Sequence, residues 1–82
     1  MAKHLSETAR NLIAEVAAHN ERGEHPAKID IVGFDGRTSN DTRSYRYKMI
    51  DRLLADGYLR DVRTTARAYA LQVTDLGRSV IN

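Results

Sequence analysis

The 82-residue chain contains no cysteine, no tryptophan and a single proline. The missing cysteine excludes a disulfide scaffold, a zinc ribbon and thiol catalysis, and it fits a reducing, cytoplasmic setting. Long apolar runs are missing too. The longest is four residues, Ala68-Tyr69-Ala70-Leu71, against about 20 for a spanning helix, so no membrane partner is expected. The opening Met1–Glu7 lacks the apolar core of a signal peptide. Without an export signal, the sequon-like Asn40-Asp41-Thr42 reads as coincidence. What is present, 41% hydrophobic and 29% charged residues, suits one small globular domain and is too apolar for a disordered tail.

The net charge of +2 is unevenly spread. Residues 1–36 carry four basic and six acidic side chains, and residues 37–67 carry eight basic and four acidic ones. A basic central third can present a positive surface to a polyanion, or it can be ordinary scatter of surface charge.

Periodicity gives the elements. Ser6 can cap a helix over 6–22, in which Ala9, Leu12, Ile13, Val16 and Ala17 fall on one stripe and Gly23 permits a left-handed stop. The segment 28–35 is either a short strand or a short helix begun by Asp30, because so short an apolar run fits both. A second helix is predicted over 40–56, with Tyr45, Met49, Ile50, Leu53 and Leu54 inward, Ser44, Tyr47, Lys48 and Asp51 outward, and Gly57 at its end. Arg46 falls on the apolar side. Residues 58–73 alternate with period two around Arg63-Thr64-Thr65-Ala66-Arg67, the pattern of an antiparallel hairpin. Thr74 and Asp75 offer a cap to a last turn or helix over 75–81.

Two stretches in this series look familiar. Met49-Ile50-Asp51-Arg52-Leu53-Leu54-Ala55-Asp56-Gly57-Tyr58-Leu59 resembles the end of the recognition helix in winged helix–turn–helix regulators of bacteria and archaea. Val73-Thr74-Asp75-Leu76-Gly77-Arg78 resembles their closing leucine-threonine-x-x-glycine-arginine segment, with valine for leucine. The resemblance covers residues 5–80, most closely 42–78. It departs at 28–39, which glycines interrupt, and at Arg46, a position usually apolar. It implies an α+β winged helix–turn–helix with a three-helix core and a C-terminal β-hairpin wing. The function it implies is sequence-specific binding of double-stranded DNA by a transcriptional regulator, with a homodimer as the favoured state.

On that reading the helix over 40–56 would enter the major groove, presenting Thr42, Arg43, Ser44, Tyr47 and Lys48 to base edges and phosphates. Arg60, Arg63 and Arg67 of the wing would contact phosphates or an adjacent narrow minor groove. Tyr45 and Tyr69 would belong to the core. The competing reading is a protein-docking or RNA-binding module of a larger assembly, which the modest net charge favours. An enzyme is not expected. His4, His19 and His25 lack metal-ligand spacing, Ser6, Ser39 and Ser79 lack a nucleophile elbow, and Gly33–Arg37 is too short to cradle phosphate. No cofactor, metal or small-molecule ligand is implied.

Overall fold

The computed structural model describes residues 5–32, 40–63 and 69–81, and of Val32 and residues 40–44 the backbone alone. These form four helices and one two-stranded antiparallel sheet, an α+β arrangement. In chain order they are α1 (Glu7–Glu21), α2 (Lys28–Val32), α3 (Asn40–Ala55), β1 (Leu59–Asp61), β2 (Leu71–Val73) and α4 (Asp75–Ile81). Among the described residues no helix is long and apolar enough to cross a membrane.

Helix α1 begins where Ser6 Oγ accepts the Ala9 N–H at 3.2 Å, the capping bond its sequence promises. Its five predicted stripe residues, Ala9, Leu12, Ile13, Val16 and Ala17, are the ones it buries. It ends in a Schellman turn. Gly23 takes φ +79°, and the amides of Gly23 and Glu24 donate to the carbonyls of Asn20 and His19. The ambiguous segment that follows is helical over Lys28–Val32. Asp30 does not cap it. Its carboxylate instead reaches back to accept the Ala27 N–H at 2.9 Å, the reciprocal half of a capping box. Helix α3 closes as α1 does, with Gly57 at φ +88° and the Tyr58 amide bonded to the Leu53 carbonyl.

The core lies between α1, the inner side of α3 and one face of the sheet. Ile13, Val16, Ile50, Leu59 and Leu71 are its sealed side chains. Strand register pairs Leu59 with Val73, Arg60 with Gln72 and Asp61 with Leu71. At the base of the ribbon, Thr74 holds three segments together. Its hydroxyl donates to the Gly57 carbonyl at 2.5 Å and accepts the Gly77 N–H at 3.1 Å, while its amide donates to the Tyr58 carbonyl. Gly77 sits so close to the Tyr58 carbonyl oxygen that no β-carbon fits there, which gives this glycine a packing role inside α4.

The free edge of β2 is closed by α1 itself. Asn20 Nδ2 donates to the carbonyls of Leu71 (3.1 Å) and Glu24 (2.9 Å), and Asn20 Oδ1 accepts the Val73 N–H at 2.9 Å. The Leu71 N–H donates to the Pro26 carbonyl at 2.8 Å. One side-chain amide thus stands in for a neighbouring strand, satisfying backbone groups that burial would otherwise leave unpaired. Replacing Asn20 by alanine orphans the Leu71 carbonyl and the Val73 amide and should lower unfolding free energy by about 2–3 kcal/mol. Urea denaturation checks this, and a change below about 0.5 kcal/mol would show that the edge is held by other means.

Candidate nucleic-acid interface

Helix α3 buries Ile50 and Leu53, half-buries Arg46, Tyr47, Met49 and Leu54, and exposes Tyr45, Lys48, Asp51, Arg52 and Ala55. At about 100° per residue this centres the uncovered face on Lys48, with Tyr45 and Arg52 on one flank and Asp51 on the other. The two tyrosines are therefore exchanged relative to the sequence expectation. Tyr45 is 58% exposed, whereas Tyr47, expected outward, packs against the core. The cause is a slight rotation of the buried stripe toward Arg46. Five apolar positions fix a helix face only coarsely, and tyrosine accepts either side of the boundary. Met49, at the edge of the stripe, stays half-buried.

Tyr47 turns inward toward a cation that sequence reasoning left without a role. Lys28, at the start of α2, is only 14% exposed in its side chain and forms an ion pair with Asp51 of α3. Its ammonium lies 4.1 Å from the Tyr69 ring centroid and 6.0 Å from that of Tyr47. Arg63 lies over the same Tyr69 ring at 4.8 Å and pairs with Asp61 at 2.9 Å. Two cations, two carboxylates and two aromatic rings thus bind α2, α3 and the ribbon together at one junction. A lysine opening an apolar pentapeptide gives no local sign of this, because its partners are 19 to 41 residues away in sequence.

The predicted contact residues do not all share one surface. Thr42, Arg43 and Ser44 lie on α3, but their side chains fall outside the described residues, as does the whole of Arg67. Lys48 is exposed and has no ion-pair partner among the described residues. Arg63 extends from the core-facing side of the ribbon, the side shared with α3, while Arg60 pairs with Gln72 on the opposite side, where its Nε donates to Gln72 Oε1 at 2.6 Å. The tyrosine and arginine on the open flank of α3, Tyr45 and Arg52, were not predicted as contacts. Arg52 is 77% exposed in its side chain, and its separation of 3.7 Å from Asp56 makes a weak surface pair.

A cleft of about 190 Å³ lies between the start of α1 and the end of α3, lined by Leu5, Ala9, Met49 and Leu53 among others, and a more open depression of about 500 Å³ lies at the base of the ribbon beside Gly57, Arg60, Gln72, Thr74 and Arg78. Among the described residues no group of three or more histidine, cysteine, aspartate or glutamate side chains is placed to hold a metal. Comparison of the chain with protein families, with curated proteins and with solved structures gave no match.

The junction has a pH signature. Partial burial pushes the Asp61 carboxyl up, but bonds from the Arg63 and Ala70 amides, with Arg63 and Lys28 nearby, outweigh it and hold its pKa below the ordinary 3.8. A carboxylate with a lowered native pKa stabilises the fold fully above its unfolded value, and this is lost as pH falls through the native one. Asp61→Asn should therefore be less stable than the parent at pH 7, with the gap narrowing below about pH 4. Urea midpoints from pH 7 to pH 2 check this. A gap that stays constant would mean that the charge is not what matters.

Proposed function

We propose that this chain is a double-stranded DNA-binding protein of the winged helix–turn–helix type, a transcriptional regulator that acts by occupying its site. The observation that carries the proposal is the uncovered face of α3. Lys48 stands at its centre without an ion-pair partner among the described residues, and Tyr45 and Arg52 stand beside it. A 16-residue helix has the width to enter the major groove. In this reading Lys48 and Arg52 address phosphates or guanine edges, and Arg63 on the α3 side of the ribbon neutralises the neighbouring backbone. Lys28 and Tyr47 act behind that surface by holding the ribbon against the helix. Arg60 faces away from α3 and takes no direct part. Closed two-fold assembly on a two-fold site accords with the resemblance to regulators.

A specific observation favours the protein-docking or RNA-binding alternative: Arg63 and Lys28 are each matched by an aspartate, which trims the basic surplus. Titration of the chain with random-sequence duplex DNA at several salt concentrations separates the two. DNA binding predicts that log affinity falls linearly with log salt, with a slope of about 0.9 per phosphate neutralised. Lys48→Ala should weaken the specific complex by about 1–3 kcal/mol if it contacts a base, without changing the thermal midpoint. A flat salt response would reject the proposal in favour of the alternative.

A further inference from the structure

The outer flank of α3 is not simply cationic. Tyr45, Lys48, Met49 and Arg52 line a shallow open groove of about 320 Å³. Met49 is half-buried against the core, Tyr45 is the most exposed large hydrophobic side chain among the described residues, and Lys48 and Arg52 are exposed. Water gains nothing from an exposed ring beside a thioether, so the groove suits an occupant that is apolar in the middle and anionic around it. A second copy meeting this face about a two-fold axis would set Lys48 and Arg52 against their own counterparts, which repel. Duplex DNA has the complementary chemistry. Its phosphates meet the cations, and thymine is the base that offers an apolar group, the C5-methyl, to the major groove.

We propose that Tyr45 and Met49 form a thymine-methyl contact, so that the face of α3 reads thymine by burying its methyl group between them. This rests on the DNA-binding reading and adds to it a base identity and two specificity-determining residues. Tyr45 contributes its ring edge or face rather than its hydroxyl. Met49 supplies an adaptable apolar floor fixed from behind by the core. Lys48 and Arg52 hold the backbone or a flanking guanine, which places the methyl over the groove.

The test begins with selection of bound sequences from a random 20-base-pair pool by the intact chain. The enriched duplex is then synthesised with each thymine replaced singly by uracil, which removes the methyl and nothing else. The expected result is about a fourfold loss of affinity at one or two positions, the worth of burying one carbon group. The loss should vanish in Tyr45→Ala, persist in Tyr45→Phe, and leave the salt slope unchanged in both. Because Tyr45 is exposed, neither variant should disturb folding, and circular dichroism verifies this. Enrichment with no uracil effect, or with a uracil effect that survives in Tyr45→Ala, would overturn the thymine contact while leaving DNA binding intact. Failure to enrich any duplex, with a flat salt response, would overturn both.

Discussion

The fold turns on the side-chain amide of Asn20. Two strands of three residues each do not make an independently stable sheet, and among the described residues the outer edge of β2 has no third strand to pair with. Asn20 meets that edge with both a donor and an acceptor, taking the Leu71 carbonyl and the Val73 amide together. Its position is set by α1 and by the turn at Gly23, which brings Pro26 alongside to accept the Leu71 amide. The ribbon is thus held against the helices from α1, through the bonds of Asn20 and Pro26 to β2.

A second constraint acts from the front. Lys28 lies beneath the ring of Tyr69 and against Asp51, so the tip-proximal part of the ribbon is referred to α3 through α2. Asn20 and Pro26 act at Leu71–Val73 and Lys28 acts at the adjoining Tyr69, so the ribbon is tied to α1 and, through α2, to α3. The second also consumes charge. Lys28 and Arg63 are matched by Asp51 and Asp61, so they hold the architecture more than they add to its field. On α3, Lys48 has no carboxylate partner among the described residues and Arg52 has only its weak surface pair with Asp56, so the proposed surface is small and centred on one face of one helix.

Much of this was legible in the sequence, and the reasons differ by element. The stripe, cap and glycine stop of α1 are local, repeated signals that tertiary packing had no cause to override. The alternation at Leu59–Asp61 and Leu71–Val73 follows from period two and a hydrophobic face, but alternation alone leaves the register open, and the structure pairs Leu59 with Val73. The segment Lys28–Val32 was undecidable between strand and helix because five residues satisfy both periods. The exchange of Tyr45 and Tyr47 has another origin. The rotation of α3 is set by what it packs against, and the cation that receives Tyr47 comes from a different helix. Asn20 was equally hidden. A polar residue near a helix end reads as part of a stop signal, and its partners on β2 lie more than fifty residues onward.

In the proposed function, duplex DNA meets the Lys48 face of α3 together with the Arg63 side of the ribbon. Backbone amide chemical shifts of the isotope-labelled chain, followed as duplex DNA is added, test it most directly. Changes should gather at residues 45, 48, 52 and 63, while Gln72, Arg78 and the exposed side of α1 stay still. Changes gathered instead around Arg60, Gln72 and Arg78, or along α1, would contradict it.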